Sequence, residues 1–330
     1  MSKEETMITQ PMCPGRRRIL QGMLALGAAA ALGGCATGGG RAAGDGSPLG
    51  AGTGGAARLS GGRVSVRWLG GGVVELATPD NKQMAYGDAW FWNNAGWSRF
   101  NVPKAPEYAS KEAFAQYVRG KNPEAVYMLL THDHGDHIGD YFEALKALVD
   151  AGVPVMTAGQ SDLMRAPNGL VPDFKKAGLD NAKIVVNGGS GINFGGTGRY
   201  GKMTARLVPA VHSNFHMYPA AGFILEIGGM RAYISGDTDL YGDMKLVGER
   251  YQPNLAVICV GGGPNTMDPG EAAVACKWLG VSHAIPVHYA HNANVLGVQA
   301  GEEFRQAMAR VSSGVQVTVL KPGETTVIQT

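Results

Sequence analysis

Between Thr131 and His137 the chain reads Thr-His-Asp-His-Gly-Asp-His, directly after the apolar run Ala125 to Leu130. Neutral imidazole and carboxylate are the ligands that zinc, manganese and iron accept. One ion needs three or four of them, so this surplus points to two. Crowding such side chains without a cation costs desolvation and repulsion, and unpaired polar clusters are rarely tolerated. The segment is therefore read as a metal site rather than as a surface or core feature.

Three more segments end an apolar run in a potential ligand. Val208 to Val211 leads to His212, Ile234-Ser235-Gly236 leads to Asp237, and Ile285-Pro286-Val287 leads to His288. Any one of them alone reads as a satisfied core or cap residue. Together with His-x-His-x-Asp-His they read as strand ends converging on one edge.

The elements that must position them follow from periodicity and turn signals. Strands are expected at Val64 to Leu69, Val73 to Ala77 and Gln83 to Tyr86, with Gly70-Gly71-Gly72 turning between the first two. A loop from Asp88 to Phe100 carries Trp90, Phe91, Trp92 and Trp97, and either lines the pocket, touches a membrane or packs in the core. Ser110 caps a helix to Arg119, Ala125 to Leu130 is the strand before the metal motif, and Tyr141 to Ala151 is a helix followed by strand Val153 to Thr157. Helical pieces with loops fill Gln160 to Lys183. Strands Ile184 to Val186, Met203 to Pro209, Gly222 to Ile227 and Met230 to Ser235 follow, the last two joined by a Gly-Gly hairpin. Then come helix Leu240 to Arg250, strand Leu255 to Val260, and a helix with Asp268 as N-cap, Pro269 in its first turn and Glu271 at its third position. Strand Ala284 to Val287, helix Gly301 to Val311, and strands Val315 to Leu320 and Thr325 to Ile328 close the chain. Strands first, then strands alternating with helices, predict two sheets covered by helices.

The start of the chain reads differently. Arg16-Arg17-Arg18-Ile19-Leu20-Gln21 resembles a twin-arginine export signal, and the Ala/Gly-rich stretch to Gly34 is too short and small-sided for a stable membrane span. Leu32-Gly33-Gly34-Cys35 resembles a lipobox, which implies lipidation at Cys35. Residues 1–35 are thus expected to be a signal peptide, 36–61 a Gly/Ala-rich flexible linker, and 62–330 the catalytic domain, exported to the periplasm and held at the membrane by an N-terminal lipid anchor. Of the 330 residues 45% are hydrophobic and 17% charged, with a net charge of +2. Losing the leader removes four of the 29 basic and two of the 27 acidic residues, which leaves the domain neutral. That balance excludes a basic field for phosphate backbones and hence a nucleic-acid partner. Cys259 and Cys276 fall in a strand and a helix and read as buried apolar residues rather than a disulfide.

The order of these motifs resembles the metallo-β-lactamase superfamily over residues 62 to 330. Within it, Ser235-Gly236-Asp237-Thr238, Gly242-Asp243-Met244-Lys245, Thr266-Met267-Asp268-Pro269 with Glu271-Ala272, and Ile285-Pro286-Val287-His288-Tyr289 are similar to metal-dependent hydrolases related to the ascorbate-phosphate lactonase. The resemblance implies an α/β fold, the αββα sandwich of two mixed sheets flanked by helices. It also implies a site in which His132, His134 and His212 hold one metal, Asp136, His137 and His288 hold a second, and Asp237 bridges them. Zinc is the first expectation for both, with manganese and iron accepting the same donors. Asp136 also orients the hydroxide, and Asp133, between two ligands, points away to orient a ligand histidine. Relatives often carry Leu-Gly-His where this chain has Leu69-Gly70-Gly71. A substrate contact or proton donor is then supplied elsewhere, with His216 and His291 as candidates.

The function so implied is dinuclear hydrolysis of an ester, lactone or phosphodiester bond in a small-molecule substrate by metal-bound hydroxide. The rivals are a phospholipase-like activity on membrane lipids, a redox role on two irons, and a metal- or ligand-binding lipoprotein without turnover. Oligomeric state leaves no trace in the sequence.

Overall fold

The computed structural model describes residues 57–180 and 191–330. The export signal, Cys35, most of the linker and the strand expected at Ile184 to Val186 lie outside the described residues. Among those described, two mixed sheets pack face to face with helices outside them, as the sequence predicts.

The first sheet holds β1 (Arg63–Gly70), β2 (Val73–Ala77), β3 (Gln83–Gly87), β4 (Ala125–Leu129), β5 (Val155–Ala158) and β13 (Thr325–Gln329), in the order β13-β1-β2-β3-β4-β5. The second holds β6 (Thr197–Tyr200), β7 (Met203–Pro209), β8 (Ala221–Ile227), β9 (Met230–Ile234), β10 (Leu255–Cys259), β11 (His283–Val287) and β12 (Gln316–Val317), in the order β12-β11-β10-β9-β8-β7-β6. Strands β3, β4 and β5 run parallel, as do β9 to β12, while the hairpins on the other side of each sheet are antiparallel. Gly228 and Gly229 turn the β8–β9 hairpin with φ of 56° and 76°, a conformation that side chains resist.

Strand β4 shows why its sequence is apolar throughout. Tyr127 and Leu129 join the core between the sheets with Trp68, Leu207, Phe223 and Leu225, whereas Val126 and Met128 join the core under the helices with Phe114, Leu145 and Leu148. A strand covered on both faces needs no polar alternation. The second core is closed by α2 (Lys111–Lys121), with Ser110 accepting from Ala113 N–H at its N-cap, and by α4 (Tyr141–Asp150). The far side of the second sheet is covered by α8 (Pro269–Leu279), opened by the capping box of Asp268 and Glu271, and by α9 (Ala300–Val311). Cys259 and Cys276 are free and buried, and burial pushes the Cys259 thiol up to about 12.

Three expectations change. Strand β6 was not anticipated, because Thr197–Tyr200 has no apolar alternation and forms by pairing with β7. The helix expected from Leu240 begins at Met244 (α7, Met244–Tyr251), since Gly242 and Asp243 form a turn and Tyr241 Oη donates to Pro209 O at 2.6 Å. The strand expected over Val315 to Leu320 shortens to β12, because a turn at Lys321 to Glu324 carries the chain from the second sheet to β13 in the first. The tryptophan loop is core: Phe91 and Trp97 are buried, and Asp140 holds the loop by accepting from Phe91 N–H and Trp92 N–H. Trp90 and Trp92 are half-buried against the same core. No helix among the described residues is long and apolar enough to cross a membrane.

Candidate metal centre

Parallel strands end at one edge, and there the polar residues collect. After β4 the backbone stays extended through His134 (φ −67°, ψ 148°), so His132 and His134 face one way and Asp133 the other. One helical turn, α3 (Gly135–Ile138), then swings Asp136 and His137 into the same space. His212 follows β7 and Asp237 follows β9. Their loops are tied by Val211 N–H donating to Thr238 Oγ1 at 3.0 Å and Asp239 N–H to Val211 O at 3.0 Å. His288 follows β11, with its N–H donating to Gly71 O at 2.8 Å in the β1–β2 turn.

The seven residues expected from the sequence come together. Asp237, 3% exposed, lies at the middle. Its carboxylate is 3.1 Å from His288 Nε2, 3.3 Å from His137 Nε2, 3.5 Å from His212 Nε2 and 4.0 Å from His132 Nε2. His212 Nε2 is 3.2 Å from His134 Nδ1, and Asp136 Oδ2 is 3.4 Å from His288 Nε2. Donors about 2.0–2.1 Å from a tetrahedral ion stand about 3.3 Å apart, so these spacings are those of ligands around a shared cation. His132 Nε2, His137 Nε2, Asp237 Oδ1 and both ring nitrogens of His288 are buried without a hydrogen-bond partner. His137 and Asp237 are close but poorly aligned for such a bond. Buried polar atoms left orphaned in a cluster are what a bound ion satisfies, so the residues fit divalent metals.

For three of the histidines the electrostatics agree with that reading. Burial lowers His132, His134 and His212, which favours the neutral imidazole a metal requires. Burial alone would also lower His137, but Asp237 and Asp88 against its two nitrogens raise it well above the usual range. Asp237 and Asp136 are held far below the carboxylate range: burial opposes this, and the surrounding imidazoles overcome it.

The sequence reading missed Asp88. It is buried with φ 61°, accepts from Thr131 N–H at 2.8 Å and lies 2.7 Å from His137 Nδ1. A carboxylate behind a ligating imidazole fixes its tautomer and orientation. The signal available was an acid closing a strand beside β4, but it was absorbed into the aromatic loop. Replacing Asp88 by Ala is expected to weaken metal binding at His137 by about 10–100-fold. Competition with a chromogenic chelator measures this, and unchanged affinity would remove Asp88 from the site.

Asp133 points away, as expected, but the histidine it holds is His216 rather than a proposed ligand. Its carboxylate accepts from Phe215 N–H at 2.6 Å, from His216 N–H at 3.0 Å and contacts His216 Nδ1. His216 thereby anchors the loop after His212 and is not among the residues lining the cleft. His291 is brought into the site, with Nε2 3.0 Å from Asp136 Oδ2.

The centre opens into a cleft of about 750 Å³, lined by His134, Asp136, His212, Asp237 and His288 and, beyond them, by Val211, Phe215, Asn265 and Asn292. Asp239 and Glu271 also face it, and no lysine or arginine does among the described residues.

With this geometry in view, similarity to known proteins is informative. The family model described as Beta-lactamase superfamily domain matches residues 90–289. A UPF0173 metal-dependent hydrolase of Cupriavidus metallidurans is 32% identical over 278 residues, covering 80% of this chain and 84% of that protein. Among solved structures, Igni18, a metallo hydrolase from Ignicoccus hospitalis, is 24% identical with a TM-score of 0.62, covering 81% of this chain and 99% of that one. CmlA, a diiron β-hydroxylase from Streptomyces venezuelae, has a TM-score of 0.55 at 14% identity, covering 82% of this chain and 54% of that one. The last two share the fold alone.

Proposed function

From the premise that the chain belongs to the β-lactamase superfamily and, within it, to the UPF0173 metal-dependent hydrolases, we propose that it binds two divalent metals and hydrolyses an ester, lactone or phosphodiester bond in a small molecule. The observation that carries this is the central position of Asp237, within 4.0 Å of four buried or half-buried imidazoles on different strand ends. His132, His134 and His212 would hold one ion, Asp136, His137 and His288 the other, and Asp237 both. Bound there, two divalent ions, zinc first, would acidify water and polarise the scissile oxygen. The chain itself positions the substrate: Asn265 and Asn292 offer amide contacts, and the buried floor at Asp237 and His288 excludes bulk water.

The absence of lysine and arginine from the described lining, with Asp239 and Glu271 facing the cleft, favours a neutral acyl substrate over a phosphodiester. Val211 and Phe215 line the cleft while 50% and 72% exposed, and this supports a second reading, hydrolysis of membrane lipids. The twin-arginine and lipobox patterns support an exported, Cys35-anchored protein near such lipids; a mature chain lacking incorporated fatty acid would refute the anchor.

Elemental analysis beside hydrolysis of aryl esters, lactones and bis-aryl phosphates tests the reading. About two metals per chain, with turnover lost to a chelator and restored by metal, is the expected result. Two metals with no turnover would leave a binding protein, and turnover only above the critical micelle concentration would select the lipid reading.

A further inference from the structure

We infer that His291 is a direct metal ligand, completing the second cation position beside Asp136 and His288. This rests on the two-metal reading above. Nε2 of His291 and Nε2 of His288 stand 3.0 and 3.4 Å from the same oxygen, Asp136 Oδ2. The three donor atoms all lie within 4.8 Å of one another. The His291 side chain is fully buried, and its Nδ1 has no hydrogen-bond partner. Burying an imidazole whose Nε2 meets only the site carboxylate and whose Nδ1 meets nothing forfeits hydration, which an apolar residue would avoid.

The backbone is bent to bring it there. His288 and Ala290 both take left-handed conformations, φ 60° and 53°, which non-glycine residues rarely adopt. Between them Tyr289 is buried, stacked on Trp68 with ring centroids 4.9 Å apart. The tight reversal turns Tyr289 into the core and leaves both flanking histidines on Asp136. Such strain collects where function demands a geometry. Glycine at 71 leaves room for Trp90: a Cβ there would press on the Trp90 ring at 3.3 Å and would meet the His291 ring only in ordinary contact at 3.9 Å. Trp90 meets His291 edge-on at 6.0 Å and closes the outer side.

The alternative is that His291 only donates a hydrogen bond to Asp136. His291→Gln separates the two, since the amide keeps a donor but is a poor ligand. Metal affinity would be measured on the full chain by competition with a chelator, beside the visible spectrum of the cobalt-loaded protein. Losing a hydrogen-bonding partner behind a ligand costs about 10–100-fold in affinity. The variant is expected to lose more than 100-fold at one of two positions and to change the cobalt bands. Two metals bound at wild-type affinity with an unchanged cobalt spectrum would overturn the inference. Should the variant misfold, imidazole-nitrogen NMR of the cadmium-loaded unsubstituted protein decides it. A metal–nitrogen coupling at His291 supports ligation, and its absence at full loading overturns it. A wild-type chain that binds fewer than two metals would instead overturn the two-metal reading.

Discussion

Asp237→Ala is expected to strip the metal centre and lower hydrolysis on the order of a thousand-fold. The side chain faces His132, His137, His212 and His288 at once, at 3.1 to 4.0 Å. Of the two carboxylates among the proposed ligands it is the buried one, and it lies within 4.0 Å of histidines from both proposed ligand sets. Without it, two doubly charged ions would face neutral imidazoles and Asp136 alone, so their mutual repulsion would go largely uncompensated. A metal's electrostatic contribution to the transition state is several kcal/mol, and each 1.36 kcal/mol is tenfold in rate. Elemental analysis should fall from about two metals per chain to less than one, with circular dichroism unchanged. Asp237→Asn, which keeps the shape and loses the charge, should fall between the two. Retention of two metals by the alanine variant would mean that Asp237 is not the bridge.

Trp68→Ala should cost about 3–5 kcal/mol of stability, the range for emptying a buried aromatic site. Trp68 is 0% exposed, stacks on Tyr289 and meets Phe100 edge-on at 5.2 Å. Its Nε1 donates to Gly71 O at 2.9 Å, the carbonyl that also accepts from His288 N–H. The cavity would therefore open beneath the turn that carries His288 and His291, and metal affinity should weaken together with stability. At about 2–4 °C per kcal/mol for a domain of this size, the metal-free protein should melt on the order of 10 °C lower. Phe215→Ala, at a residue 72% exposed, is the control and should stay within about 0.5 kcal/mol. A drop at Trp68 of less than 1 kcal/mol would show that the stack and its hydrogen bond contribute little.

Much of this was legible before the structure. The alternation of apolar strands with single polar residues at their ends placed His132, His134, Asp136, His137, His212, Asp237 and His288 in one site. That works because a ligand and the strand before it are neighbours in sequence, so the signal is local. The capping box at Asp268 and Glu271 and the Gly228-Gly229 hairpin were legible for the same reason.

What the sequence could not rank were the partners of those residues. Asp88 lies 49 positions from His137, and Asp133 lies 83 from His216. Such pairs arise from the order of strands in the sheets, β3 beside β4 and the end of β7 facing the end of β4, and neither leaves a local pattern. Residue types thus determined that a metal centre exists, because imidazoles and carboxylates crowded at strand ends have no cheaper explanation. Only the tertiary structure decided that His216 anchors a loop while His291 enters the centre. Both are histidines a few residues past a proposed ligand, and the difference lies in the backbone: two left-handed residues turn one ring inward, and a buried aspartate holds the other away.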